Sequence, residues 1–200
     1  MATRQYLFSL IRALCCFTLV WCPIPLASNR PWAWAILELL ILVIFSLHLI
    51  SVYRGRSPWF AGLWQQLSLL PFVAILAVLA AQLWSPVSWL STVDPNQTEI
   101  LWVKTLCYGL FAWMISSYFR TDSQLKLLCY IIVASGVFQA SYGAILNLQG
   151  AETSPIFGVP EGNRARGSFV YQNHFANYLA MTLALGVGLL MAELSSRAMQ

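Results

Sequence analysis

The chain has 200 residues, of which 59% are hydrophobic and only 9% are charged, and its mean hydropathy is +0.68. These values exclude an ordinary soluble globular domain and indicate an integral membrane protein. The formal net charge of +4 does not indicate nucleic-acid binding, because the basic residues stand singly between apolar runs. The five cysteines lie inside apolar runs without metal-ligand spacing, so the sequence predicts neither a disulfide framework nor a metal site.

Six apolar stretches are long enough to cross a membrane, which takes roughly 20 residues in a helix. They cover residues 6–27, 31–53, 60–84, 100–119, 127–147 and 168–192. Because backbone polar groups in lipid must be satisfied within the chain, each stretch is predicted to be a helix. Proline, glycine, asparagine and arginine in the gaps favour turns. The sequence therefore predicts an all-α, polytopic membrane helix bundle that forms a single membrane domain over residues 1–200.

The lysines and arginines of the short loops predict the orientation of these helices. With the N-terminus in the cytoplasm, the cytoplasmic segments carry six basic residues and the outer segments carry three. The six are Arg4, Arg54, Arg56, Arg120, Lys126 and Arg197, and the three are Arg30, Arg164 and Arg166. The excess on one side predicts a cytoplasmic N-terminus.

The first apolar stretch has an alternative interpretation as a signal peptide. Arg4 precedes it, and Leu26-Ala27-Ser28 loosely resembles a cleavage site. Arg12 interrupts the apolar region, which favours a retained helix. Cleavage would leave the topology of the remaining helices unchanged.

Ionisable residues inside predicted helices are functional candidates by default. Glu38 lies about 10 Å into the second helix from the outer side, at 1.5 Å per residue, and Lys104 enters the fourth helix from the same side. The two are candidates for lining a headgroup cavity, and an ion pair between helices is the favoured interpretation. Arg12 and His48 lie near cytoplasmic helix ends, where their side chains are expected to reach the headgroups.

Arg164 and Arg166 precede the sixth helix, in the loop of residues 148–167. Under this topology they lie on the outer face, against the tendency of basic residues to remain inside. A binding site for an anion on that face would account for them. Guanidinium groups offer planar, forked donors that suit phosphate oxygens.

The sixth stretch begins with polar side chains where lipid would favour leucine. At 100° per residue, Asn173, His174 and Asn177 fall within an arc of roughly 100°, which is expected to face protein or water. A ridge of small residues beside this arc allows close helix approach and predicts a central position for the sixth helix. The ridge consists of Ala176, Ala180, Ala184 and Gly188.

Two interpretations of this region remain open. In the first, the two arginines form an anion site with the asparagine and histidine donors at the start of the helix. In the second, the arginines meet lipid phosphates, and the polar residues cap the helix or bond to a neighbouring one. His174 is also a candidate general base because its pKa lies near neutrality. A histidine among asparagines more often orients a neighbour or bonds to a headgroup.

These residues belong to a longer motif. Arg164-Ala165-Arg166-Gly167-Ser168-Phe169 is followed by Asn173-His174-Phe175-Ala176-Asn177-Tyr178-Leu179-Ala180-Met181. This pattern resembles the motif of the O-antigen ligase and polymerase superfamily. The shared features are an arginine, a glycine three positions later, serine and phenylalanine, and then an asparagine-containing segment that leads into an A-x-x-L helix. Tyr171-Gln172 departs from the asparagine plus proline or arginine of that pattern. Upstream, the resemblance is limited to consecutive hydrophobic helices.

The resemblance implies a membrane glycosyltransferase in the bacterial inner membrane. Members of this superfamily move a glycan from undecaprenyl diphosphate, at the outer face, to a lipid, a glycan or a protein acceptor. Arg164 aligns with the motif arginine and Arg166 is given a supporting role, so both are expected at the diphosphate with Asn173, His174 and Asn177. No cofactor is implied, and the sequence has no Asp-x-Asp metal signature.

In that superfamily the general base and further basic residues lie in a large outer loop after later helices. Because this chain stops at Gln200, the resemblance predicts the N-terminal part of a longer enzyme, inactive by itself and completed by a C-terminal half or a partner subunit. The alternative is a non-catalytic multipass protein, transporter-like or lipid-headgroup-binding, whose arginines hold membrane lipids. Neither the internal repeats nor the broken midplane helix typical of a transporter is evident.

Overall fold

The computed structural model describes residues 2–55, 62–85, 87, 90–158, 160 and 164–198. Within this part of the chain the regular structure is helical, with six long helices and no strand, which confirms the predicted all-α fold. Arg56 and residues 60–61 lie outside the described residues. The helices are α1 (Ala2–Trp21), α2 (Pro31–Tyr53), α3 (Leu63–Trp84), α4 (Pro95–Tyr118), α5 (Asp122–Leu148) and α6 (Gln172–Ala198).

The helices α2 to α6 are each long and apolar enough to cross a membrane. The apolar part of α1, Gln5–Trp21, is shorter. At most 28% of any of the five spanning windows is buried inside the protein, so their apolar side chains are largely exposed. Only lipid can cover that much apolar surface, and the chain is therefore a multipass membrane protein.

Several helix boundaries differ from the predicted ones, and three of them show the local reasons. The first helix ends at Trp21 rather than residue 27, because Pro23 and Pro25 lack the backbone N–H that continues a helix. The fourth begins early, at Pro95, where the Asp94 carboxylate accepts a hydrogen bond from the Gln97 N–H at 3.1 Å. The sixth begins at residue 172 rather than 168, after a turn described below.

Two compact units make up the structure. The first contains residues 1–15 and 38–119, and the second contains residues 16–37 and 120–200. In the first unit, α3 and α4 pack against each other, and Trp84 meets Trp102 edge to face with 6.2 Å between ring centroids. Glu38 of α2 and Lys104 of α4 lie in this same unit, near enough to interact electrostatically.

His48 contradicts the expectation that its side chain reaches the headgroups. It is fully buried in the first unit, and its Nδ1 lies 3.0 Å from the Tyr118 hydroxyl oxygen. The rings of Phe45 and Trp113 flank it. An imidazole has few rotamers with which to reach the membrane surface, and a hydroxyl partner with aromatic cover offers it an alternative inside the protein.

In the second unit, α5 and α6 form an antiparallel pair. Gly136 of α5 faces Thr182 of α6, and the Tyr178 hydroxyl donates to Ser135 Oγ at 2.9 Å. At the far end of the pair, Lys126 Nζ lies 3.7 Å from a carboxylate oxygen of Glu193. Small and hydroxyl-bearing residues thus hold the pair together, as is usual between membrane helices.

The predicted central position of the sixth helix is wrong. Only 11% of its spanning window is buried. The four residues of the predicted ridge are exposed, and none of the described residues comes within 4 Å of a Cβ placed on Gly188. The contact with α5 instead uses the adjacent face, which includes Phe175 and Thr182. Small residues permit a close helix contact without requiring one, so the ridge alone could not identify the packed face.

Candidate functional site

The segment after the two arginines is anchored by buried hydrogen bonds. The Ser168 backbone N–H donates to Gln139 Oε1 of α5 at 3.1 Å. The Ser168 hydroxyl donates to the Pro23 carbonyl oxygen at 2.6 Å and lies 3.0 Å from the same Gln139 oxygen. Ser168 and Gln139 are both buried. Because Pro23 lies between α1 and α2, this network ties the α5–α6 loop to the α1–α2 loop.

Glycine and phenylalanine complete the anchor. Gly167 has φ +59°, a conformation that side chains rarely adopt, and a Cβ there would lie 2.7 Å from the Phe175 ring. The buried Phe169 ring meets Tyr178 of α6 with 5.4 Å between ring centroids. Each residue from Gly167 to Phe169 therefore has a specific structural task, and together they fix the backbone that carries Arg166.

A left-handed turn forms the opposite wall of this region. Leu26, Ala27 and Ser28 have φ values of 58°, 53° and 52°. Each non-glycine residue in this conformation costs roughly 1–2 kcal/mol. The Ser28 hydroxyl donates to the Cys22 carbonyl oxygen at 2.9 Å and helps to hold the turn closed. Strain of this kind is concentrated at functional sites, where the surrounding structure sustains it.

A cavity of about 850 Å³ lies between this turn and the start of α6. Its polar lining comes mainly from Tyr171, His174, Asn177 and Asn29. The remainder is largely apolar and comes from the end of α1, the left-handed turn, α5 and α6. It consists of Leu19, Cys22, Pro23, Leu26, Ala27, Ile132, Phe169, Val170, Tyr178, Ala180 and Met181.

The cavity accounts for only some of the predicted site residues. His174 and Asn177 line it, and the His174 ring meets Tyr171 edge to face at 5.7 Å between centroids. Asn173 is exposed and is not part of the lining. Glu38 and Lys104, predicted as possible cavity-lining residues, belong to the first unit, whereas this cavity is lined by the second.

The two arginines differ in their surroundings. Arg164 is exposed, as expected of a side chain that meets a headgroup. Arg166 is half-buried, and its Nε is a buried donor without a hydrogen-bond partner among the described residues. A buried donor normally has an acceptor, and a guanidinium group favours an anionic one. The Arg166 carbonyl oxygen accepts from the N–H of Phe169, a cavity residue, at 3.1 Å, so the arginine lies one turn from the cavity wall.

Cys22 provides a chemical probe of the cavity. Burial raises the pKa of its thiol above the ordinary value, and the neighbouring Ser28 hydroxyl offsets part of that rise. The thiolate is the reactive form, so we expect a variant that retains only Cys22 to react with N-ethylmaleimide more slowly than N-acetylcysteine at pH 7. The difference between the two reaction rates should become smaller as the pH rises. Equal rates at pH 7 would contradict the burial of this thiol.

Two features of the site escaped the sequence analysis. The first is Gln139, whose amide Nε2 is a further buried donor without a partner among the described residues. A glutamine inside an apolar helix was the available signal, since polar residues at membrane depth seldom face lipid. The second is the left-handed turn, which contains no glycine and therefore has no signal in the sequence.

No protein family, curated protein or solved structure was found to match this chain. The resemblance of residues 164–181 to the O-antigen ligase superfamily therefore rests on the motif alone. Among the residues that the structure describes, no group of three His, Cys, Asp or Glu side chains could hold a metal ion. The chemistry of the site has to be inferred from its arginines, its cavity and its anchoring network.

Proposed function

We propose that this chain forms part of a membrane glycosyltransferase of the O-antigen ligase and polymerase type, which acts on a glycan carried by undecaprenyl diphosphate at the outer face of the bacterial inner membrane. The observation that carries the proposal is the combination of a large, mainly apolar cavity with Arg166, which precedes the cavity residue Phe169 by three residues and whose buried Nε has no partner among the described residues. An isoprenoid diphosphate has the same division of character, with a long apolar chain and a compact dianionic head.

The apolar part of the ligand suits the helical side of the cavity. Leu19, Ile132 and Met181 present side chains from three helices, at the depth where lipid tails lie. Ala180 has a small side chain and leaves room beside α6. A chain of isoprene units can enter along such a groove without losing its apolar surroundings, so little desolvation opposes binding.

The diphosphate suits the loop side. Arg166 offers an Nε that has no partner within the described part of the chain, and Arg164 adds a second positive charge in an exposed position. His174 and Asn177 supply further donors from the first turns of α6. Charge-assisted hydrogen bonds to phosphate oxygens are stronger than neutral ones, and the forked guanidinium geometry matches two oxygens at once.

In the proposed reaction, an acceptor hydroxyl attacks the anomeric carbon of the donor sugar, and its proton passes to a general base, which the resembled superfamily carries in a later outer loop. The bond between that carbon and the diphosphate oxygen breaks, and the diphosphate leaves with the electron pair. Arginines already in place at the developing charge lower the barrier without having to reorganise during the reaction. The anchoring of Ser168 to Gln139 and Pro23 serves this purpose, because it holds the arginine-bearing backbone in one position.

Binding of undecaprenyl diphosphate to the protein in lipid nanodiscs tests the proposal. Loss of one charged hydrogen-bonding group costs about 1.5–3 kcal/mol, so we expect Arg166→Ala to weaken binding about tenfold to a hundredfold. Arg166→Lys should bind with intermediate affinity, since the charge remains and the forked donors do not. Arg54→Ala removes a basic residue from a different loop and serves as the control. Unchanged binding by Arg166→Ala and Arg164→Ala would overturn the proposal.

The mainly apolar lining also favours a second candidate, a non-catalytic protein that binds lipid headgroups. Acyl chains fit an apolar groove as well as isoprene units do, and a phosphodiester headgroup also attracts arginine. Competition separates the two candidates. Displacement of undecaprenyl diphosphate by an equimolar amount of phosphatidylglycerol would favour the second candidate, and displacement only by a large excess would favour the glycosyltransferase.

A further inference from the structure

A second cleft opens beside the main cavity in the same unit. It has a volume of about 470 Å³, and it shares Leu26 and Val170 with the main cavity. Its remaining lining residues are chemically distinctive: Arg30, Trp32, Phe157, Gly158 and Pro160. Two aromatic rings, one guanidinium group and a glycine/proline-containing turn thus surround a space that adjoins the main cavity.

The aromatic rings form an open corner. The centroids of Trp32 and Phe157 lie 5.1 Å apart, and their planes are inclined at 52°. Trp32 is 43% exposed and Phe157 is 49% exposed, so each ring has free surface. Aromatic faces carry negative electrostatic potential and attract weakly polarised C–H groups. Arg30 is exposed at the same cleft and can donate hydrogen bonds to oxygen.

Phe157 has an energetically unfavourable backbone conformation. Its φ is +62°, which is a strained conformation for a residue with a side chain and costs roughly 1–2 kcal/mol. A partly buried network around the buried Ser154 holds the turn in place: the Tyr142 hydroxyl lies 2.7 Å from Ser154 Oγ and accepts from the Ile156 N–H at 3.2 Å. The Gly158 N–H donates to the Ser154 carbonyl oxygen at 3.1 Å.

Strained backbone therefore borders the cleft on two sides. Leu26, from the left-handed turn, lines one side, and Phe157 lines the other. A tryptophan that only anchors a helix in the membrane interface does not need a strained phenylalanine against it. Strain that is sustained by a hydrogen-bond network around a buried serine indicates a preorganised binding surface.

We propose that this cleft binds the pyranose ring of a neutral saccharide. The C–H groups of the sugar pack against the rings of Trp32 and Phe157, and its hydroxyl groups accept hydrogen bonds from Arg30. Sugars with equatorial hydroxyl groups fit best, because their axial C–H bonds point at an aromatic face. The assignment of this sugar as part of the glycosyl acceptor rests on the proposed function, whereas the binding itself does not.

Saturation-transfer NMR with cellotriose tests the site, using the protein in phosphatidylglycerol nanodiscs. Wild type should transfer saturation to the sugar C–H protons. Trp32→Ala should weaken binding about five- to tenfold, and Trp32→Phe should retain most of it. Trp84→Ala is the matched control, since Trp84 is an exposed tryptophan at a helix end in the other unit. No transfer in the wild type, or equal affinity of Trp32→Ala, would overturn the proposal.

Two further experiments identify the source of the sugar and distinguish the saccharide site from the proposed glycosyltransferase function. Nanodiscs that contain monoglucosyldiacylglycerol should abolish the cellotriose signal if the natural sugar is a lipid headgroup, and leave it intact if the sugar belongs to a free glycan chain. Either outcome supports a saccharide site. Cellotriose binding with no binding of undecaprenyl diphosphate would overturn the proposed function alone, and the reverse result would overturn the saccharide site alone.

Discussion

Gly136→Ala should destabilise the protein by forcing α5 and α6 apart. A Cβ on Gly136 would overlap the Thr182 side chain, lying 2.6 Å from its Cβ and 2.9 Å from its Cγ2. These contacts are too short, so the two helices would have to separate along their length. Overpacking of this kind costs about 1–3 kcal/mol. The free energy of unfolding, measured by titrating detergent-solubilised protein with sodium dodecyl sulfate, gives the value.

The chain provides both a control and a rescue for this variant. Gly188→Ala adds the same methyl group on α6, where no atom in the described part of the chain lies within 4 Å, and it should leave the unfolding free energy unchanged or slightly higher. Gly136→Ala combined with Thr182→Gly moves the small residue to the other helix and should recover part of the loss. If Gly136→Ala and Gly188→Ala unfold at the same detergent fraction, the α5–α6 packing described above is incorrect.

Gly167→Ala should weaken both the fold and ligand binding. The new side chain would be strained at φ +59°, and its Cβ would lie 2.7 Å from the Phe175 ring and 2.8 Å from Gln139 Oε1. The strain costs roughly 1–2 kcal/mol, and the overlap adds about 1–3 kcal/mol. Relief of the overlap moves Ser168 away from Gln139, and Arg166 moves with it. Affinity for undecaprenyl diphosphate should therefore fall along with stability.

Gly150→Ala separates the effect of backbone strain from the effect of the overlap with neighbouring side chains. Gly150 has φ +61°, nearly the same conformation, and no atom of the described residues lies within 4 Å of the position of its Cβ. It should show only the backbone strain, a loss of roughly 1–2 kcal/mol, without loss of ligand affinity. Equal effects of the two variants on binding would mean that the close packing of Gly167 does not position the arginines.

The helices were predictable because each must supply enough apolar length to cross the membrane, and few other segments of the sequence do so. The ends were less predictable, since they depend on local hydrogen bonds. Pro23 and Pro25 indicate the end of α1, but the predicted helix continued past them because the stretch remains apolar. The start of α6 depends instead on how Ser168 and Gly167 meet α5, a tertiary contact that no local pattern contains.

The candidate site, too, could be predicted from the sequence only in part. The arginines and the polar residues His174 and Asn177 could be identified because each is unusual in a membrane sequence. The apolar wall could not, because Leu19, Ile132 and similar residues look the same whether they face lipid or a cavity. The direction of α6 was mispredicted for a related reason. Small residues occur on several of its faces, and only the fit between Gly136 and Thr182 selects one.

The central claim is that the cavity binds undecaprenyl diphosphate. The measurement that tests it most directly is whether this ligand protects a cavity cysteine from alkylation. Variants that retain only Cys22, which lines the cavity, or only Cys129, which is not part of its lining, are alkylated with N-ethylmaleimide in nanodiscs. Undecaprenyl diphosphate should slow the reaction of Cys22 and leave that of Cys129 unchanged, and undecaprenol should protect much less because it lacks the diphosphate. No protection of Cys22, or equal protection of both cysteines, would contradict the account.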